Sequence, residues 1–255
     1  RFNVSNNRIR RLAFNDFPTT NITTFSVGST SQGNDAHVSY ATAADNNNYL
    51  LFNSTNQTTF IAGSSAGSGQ SFGDGNWHIL GHTWRSNDGQ NIIYRDGSQV
   101  YTGTISSGLS ITAGGCLALA GEQDNVDGGY SISQDDQGDI AETIIYNVKL
   151  NDAQRIIVSN YLSAKYGIAI TNDFYVHQAL FGHEVAGIGR EDASNFQLDG
   201  QGSGMVRINT PTSLDDSDYM IWGHDNMGPG SGPYTAPWVG ELPASVNNAL
   251  HRVWK

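Results

Sequence analysis

Basic residues are scarce: 13 lysines and arginines stand against 24 aspartates and glutamates, a net charge of −11. Nucleic acid and anionic membranes need a basic face to meet their phosphates, so this balance argues against both as partners and suits a chain that binds cations. Long apolar runs are also lacking. None approaches the roughly 18 residues of a membrane span, so no membrane insertion is expected. Nothing at Arg1 resembles a signal peptide, and Leu250-His251-Arg252-Val253-Trp254-Lys255 reads as a strand cut short, which suggests a piece of a longer chain with neighbouring domains. The single cysteine, Cys116, rules out an internal disulfide and, within Cys116-Leu117-Ala118-Leu119-Ala120, reads as a small core residue. Phosphate loops, dinucleotide fingerprints and Gly-x-Ser-x-Gly elbows are missing; Gly187-Ile188-Gly189 has Asp192 where a third glycine belongs.

Thirty glycines, eleven tyrosines, five tryptophans and abundant Asn, Ser and Thr are the composition of strands joined by tight turns. From about residue 22 to 150 the chain runs through TTFSVGS, AHVSYATA, NYLLFNST, QTTFIAG, NWHILGHTW, NIIYRDGSQVYTG, GCLALAG and GDIAETIIYN. Short runs at regular spacing with turn residues between them predict an all-β sandwich. Asp96-Gly97 is a hairpin candidate, since both residues tolerate positive φ. The period changes once, at LNDAQRIIVSNYLSAKYGI (150–168). Asn151 as N-cap, Gln154 three residues on and Gly167 as a stop predict one amphipathic helix closing a first domain over 1–170. Residues 171–255 return to β-like runs, among them EVAGIGRED, GMVRINTPT and DYMIWGHDN, and predict a smaller β-rich accessory domain, incomplete at its end.

The stretch GEQDNVDGGYSISQDDQGDI (121–140) crowds acids and amides between two apolar runs. In a strand end, Glu122 and Asp124 would project from one face about 7 Å apart and repel each other unless a cation lies between them. Calcium takes about six to eight oxygens from carboxylates, amides, carbonyls and water, the donor types that Glu122, Gln123, Asp124 and Gln134 supply. The EF-hand pattern is not present, and a solvated acidic loop explains composition alone. Asp127, Asp135 and Asp136 are read as solvated charge.

AGEQDNVDGGYSISQDDQGDIAETIIYN resembles the calcium loop of the pentraxins, a family within the laminin-G-like, concanavalin-A-like jelly rolls, and SYATAADNNNYLLF (39–52) is similar to a second pentraxin segment. The resemblance covers about residues 20–150 and implies a jelly-roll β-sandwich that binds Ca²⁺. Counting back from Phe52 places the family's Asp-Asn pair on Asn46 and Asn47, whereas the literal dipeptide is Asp45-Asn46. By this resemblance the first calcium takes Asn46, Asn47, Glu122, Asp124 and the backbone carbonyl of Gln123, with Asp45 close behind. A second would share Glu122 and Asp124 and add Gln134, but a family glutamate falls on Ser131, so one firm calcium is expected. Phe52 falls on the apolar position that packs against ligand, next to the calcium ligands Asn47 and Glu122, although a core phenylalanine is the alternative. The acid that meets a choline cation falls near Ala66 and is missing, which favours sugar hydroxyls or carboxylates as ligand. The helix is similar to the ending of bacterial laminin-G-like modules, and VAGIGREDAS (185–194) and RVWK resemble a domain that commonly comes after them.

The resulting expectation is a non-enzymatic, calcium-dependent lectin module of an extracellular bacterial adhesin, with a glycan or other cell-surface ligand as partner. Two rivals stand beside it. A glycoside hydrolase would carry Glu-x-Asp-x-(x)-Glu on one strand, and Glu122-Gln123-Asp124 begins that way but ends out of phase at Asp127. A spacer would use calcium only to stiffen loops. Zinc is disfavoured, since only His78 and His82 are closely spaced.

Overall fold

The computed structural model describes residues 7–53, 56–131, 133–202 and 206–225. The glycine-rich stretch MGPGSGPY and the expected strand at 250–255 lie outside the described residues. Contacts divide the chain into two compact units, Arg1–Leu150 and Asn151–Lys255. Among the described residues no helix is long and apolar enough to cross a membrane.

The first unit is an antiparallel sandwich. In chain order its strands are β1 (Ile9–Phe14), β2 (Asn21–Ser29), β3 (Asp35–Thr42), β4 (Asp45–Asn53), β5 (Gln57–Ile61), β6 (Ser64–Gly67), β7 (Trp77–Arg85), β8 (Gln90–Arg95), β9 (Ser98–Thr104), β10 (Gly115–Leu119) and β11 (Asp139–Tyr146). One sheet is ordered β1-β10-β3-β4-β5-β6 and the other β11-β2-β7-β8-β9. Their facing sides bury Val38, Tyr40, Tyr49, Leu51, Ile61, Ile22, Leu80, Trp84 and Ile93 in one core. Cys116 is buried, as its apolar run suggests. Asp96 and Gly97 take φ of 49° and 79° and turn β8 into β9, the geometry that a two-residue hairpin demands.

Side-chain parity decides what the other side of the first sheet presents. Successive strand residues alternate between faces. On β4, Tyr49 and Leu51 enter the main core, so Leu50 and Phe52 point away from it, where they cluster with Ala36 and half-buried Phe60. A bulge between Ala36 and Val38 resets the parity of β3, which puts Val38 and Tyr40 inward and Ser39 outward, opposite Leu50.

The second unit begins with helix α1 (Asp152–Tyr166), which starts and stops where its caps dictate. Asn151 accepts from the Gln154 amide while the Gln154 side chain accepts from the Asn151 amide, and Gly167 ends the helix at φ 67°. Short helix α2 (Gln178–Phe181) comes next, and then β12 (His183–Arg190), β13 (Phe196–Gln197), β14 (Asp199–Gly202), β15 (Val206–Asn209) and β16 (Asp218–His224). These strands form a sheet ordered β13-β12-β16 and a β14-β15 hairpin. Helix α1 packs on β12 and groups by its contacts with the second unit.

Candidate functional site

The acidic stretch is held against the outward side of the first sheet. Strand β10 ends at Leu119, and Ala120 turns the chain with φ 66°. Glu122 and Asp124 therefore lie in an irregular loop and not on a strand end, which corrects the expectation. Gln123 anchors that loop. Its amide nitrogen donates to Ser39 Oγ at 3.2 Å, and its Nε2 donates to the Ser39 and Cys116 carbonyls at 3.2 and 3.0 Å. Its Oε1 in turn accepts from the Asp127 amide at 3.0 Å. With the side chain occupied in this way, the backbone carbonyl is the group that Gln123 has for a cation.

Asn125 and Gly128 exchange backbone hydrogen bonds of 3.1 Å around Val126 and Asp127, folding a tight turn back toward Asp124. Gly129 is required next. Its φ is 71°, and a Cβ there would stand 2.5 Å from Asp124 Cβ. The Asp136 amide donates to the Ala120 carbonyl at 3.4 Å and closes the loop at its base.

The β3–β4 turn meets this loop. Residues 42–46 and 124–126 together line an open cavity of about 360 Å³, so Asp45 and Asn46 face Asp124 across it. Asp45 accepts from the Asn47 amide at 2.9 Å and so shapes its own turn. Asn47 Oδ1 is buried without a hydrogen-bond partner, and so is Glu122 Oε2. Such orphaned acceptors are rare because desolvation costs more than leaving them in water. Burial first, and the charge of Asp124 second, push the Glu122 carboxyl up to about 7. A buried carboxylate repelled by its neighbour and two unpartnered oxygens are the donor chemistry that a hard cation satisfies, and the residues present fit calcium.

Not every expected residue joins them. Of the expected residues Asp45, Asn46 and Asp124 line the cavity, whereas Asn47, Glu122, Gln123 and Gln134 do not, and Gln134 sits in a turn where its amide donates to the Ser131 carbonyl at 2.9 Å. Phe52 is 9% exposed and packs with Leu50 and Ala36 on the loop-bearing side of the sheet. Of the remaining loop acids, Asp135 and Asp136 are not solvated charge, and Asp127 is paired at the surface. Asp135 pairs with Arg8 at 2.9 Å, Asp127 pairs with Arg10, and Asp136 is buried. Sequence reasoning missed a further buried group, in which Asp35, His37 and Asp136 each keep an unpartnered polar atom. Burial raises Asp35 to about 6 and raises Asp136 as well, while His37 opposes both shifts.

Among the described residues no three His, Cys, Asp or Glu side chains gather in metal-binding geometry, so the candidate donors are two acids completed by amide and carbonyl oxygens. His78 is bracketed by Asp96 and Asp74 at 2.7 and 2.9 Å. His82 is buried between Tyr49 and Asn91, and burial drives it down to about 4.

A family model described as the Pentaxin family matches residues 9–170. C-reactive protein 1.4 of Limulus polyphemus is 37% identical over 83 residues, 31% of this chain and 34% of that protein's length. Neuronal pentraxin-2 of Mus musculus is 32% identical over 88 residues, 34% of this chain and 20% of that protein. The chain thus spans about a third or less of the length of these curated relatives. Among solved structures, the native heptameric SAP-like pentraxin from Limulus polyphemus superposes with a TM-score of 0.54 at 20% identity, covering 62% of this chain and 79% of that one.

Proposed function

Since the chain belongs to the pentaxin family, we propose that its first unit is a calcium-dependent binding module for glycans, displayed outside the cell as part of a bacterial adhesin. The observation that carries this reading is the pair of buried, unpartnered oxygens, Asn47 Oδ1 and Glu122 Oε2, each close in sequence to one of the two segments, 42–46 and 124–126, that line one open cavity. Asn46, Asn47, Glu122, Asp124 and the Gln123 carbonyl would hold the ion, with Asp45 and Gln134 as further candidates. Calcium bound there supplies a coordination position for hydroxyl or carboxylate oxygens of a ligand. The chain's own residues do the rest. Gln123 fixes the loop to Ser39, Gly129 lets the turn close on Asp124, and the 42–46 turn forms the opposite wall.

The same residues support a non-enzymatic role. A retaining hydrolase needs two carboxyls about 5.5 Å apart with distinct acid and nucleophile roles, and the third acid of the motif, Asp127, is engaged by Arg10. The test is a glycan array probed with and without chelator, run beside a turnover assay. Chelator-sensitive binding without turnover supports the lectin. Turnover abolished by Glu122→Gln supports a hydrolase, and silence in both supports a calcium-stiffened spacer. Asp124→Ala is expected to abolish the rise in melting temperature on adding Ca²⁺; an unchanged rise sinks the assignment.

A further inference from the structure

The loop acids divide into those with a cation built into the chain and those without. Glu122 feels the like charge of Asp124, whereas Asp135 is met by an arginine 127 positions away in sequence. The Arg8 Nη2 donates to both oxygens of Asp135, at 3.0 and 2.9 Å. The guanidinium also lies 3.7 Å from the centre of the Tyr130 ring. A methyl placed on Gly121 would stand 3.1 Å from Arg8 Nε and 3.0 Å from Asp135 Oδ1, so the pair rests against the beginning of the loop too. One side chain therefore touches the first residue of the loop, its middle and its far limb. The contact is dry: the Arg8 and Asp135 side chains are 7% and 4% exposed, against 46% and 29% for Arg10 and Asp127.

We propose that Arg8 is the positioning residue of the calcium site, an internal cation that ties Gly121, Tyr130 and Asp135 together and so presents Glu122 and Asp124 to the metal in a fixed arrangement. The inference rests on the calcium reading given above. Its physical content is a sign. Deleting a fixed positive charge near a cation site strengthens cation binding by Coulomb's law alone. Deleting a residue that preorganises the site weakens it, because the metal must then order the loop itself. A buried aspartate that has lost its arginine is an uncompensated charge, which pulls the far limb away from the sheet.

The experiment is calorimetric titration of CaCl₂ into the full chain, comparing wild type, Arg8→Gln, Arg8→Lys and Arg10→Gln. Arg8→Gln is expected to bind calcium roughly tenfold more weakly, which corresponds to about 1.4 kcal/mol. Arg8→Lys keeps the charge without the bidentate fork and falls between the two. Arg10→Gln, which removes the same charge from an exposed pair, binds calcium as tightly as wild type or more tightly. Calcium affinity in Arg8→Gln equal to or above wild type overturns the proposal, and if that variant does not fold, unchanged affinity in Arg8→Lys does so. A wild-type chain that takes up no calcium removes the underlying reading together with this one, whereas a wild type that binds beside unaffected Arg8 variants removes this one alone.

Discussion

Glu122 has opposite effects on stability with and without a cation. Held 4% exposed beside Asp124 with one oxygen unpartnered, it favours the protonated form until about pH 7, so ionising it opposes folding when no metal is present. Glu122→Gln is expected to stabilise the calcium-free protein by about 1–2 kcal/mol at pH 8 and to eliminate calcium-dependent stabilisation. Chemical denaturation with and without Ca²⁺ checks both halves, and a variant that keeps the full calcium increment contradicts the role given to this carboxylate. Asp35 provides a pH dependence away from the expected metal ligands. Its folded value of about 6 lies above the ordinary carboxylate value of 3.8, chiefly through burial. A raised acid contributes stability at low pH that is lost as pH climbs from about 4 to about 6. The groups facing Asp35 are His37 and the Asn53 amide, which oppose the shift, Asp136, which adds to it, and Thr30, whose hydroxyl donates at 2.5 Å and also opposes it. Asp35→Asn should flatten the fall in stability over that window by on the order of 2 kcal/mol, read as the difference between the two pH profiles. Parallel profiles for variant and wild type would show that Asp35 is not the titrating group.

The turn at Gly129 decides whether two loop limbs become one wall of the cavity. With φ at 71° and Asp124 Cβ 2.5 Å from where a methyl would sit, Gly129→Ala strains the backbone and displaces Asp124 at once. The expected result is a folded sandwich, with unchanged circular dichroism, whose melting temperature no longer responds to Ca²⁺; an intact response shows that the turn does not set the position of Asp124. Elements of this kind are unevenly legible in the sequence. The eight runs from TTFSVGS to GDIAETIIYN and the helix over 150–168 all appear, because buried alternation and a complete capping box are local signals. Strands β1 and β6 leave no such signal. IRRLAF is exposed along nearly its whole length as an edge strand and carries no alternation, and SSAG has almost no side chain to pattern. That Asp124 would meet Asp45 and Asn46 at one cavity is foreshadowed by the resemblance of two short motifs to pentraxin segments. The Arg8–Asp135 pair and the Asp35–His37–Asp136 group are not, because only the folded topology brings these segments together.

At the scale of the whole molecule, part of an excess of eleven negative charges gathers where a cation is expected, and the arginines that temper it enter from β1 and the residue just before it. That geography has a consequence in time. Strand β1 pairs with β10 at the edge of its sheet, so Arg8 reaches Asp135 after a loop of more than a hundred residues has closed. Contacts of such sequence separation tend to form late in folding. The cation site is then completed at the end of the folding reaction and not at its nucleus. Calcium should therefore leave the refolding rate nearly unchanged and slow unfolding instead, with the two arms of a denaturant chevron separating on the unfolding side only. Equal displacement of both arms would place the loops in the transition state. In the first case the metal acts as a latch fastened after the sandwich has assembled, and its loss releases an already built fold.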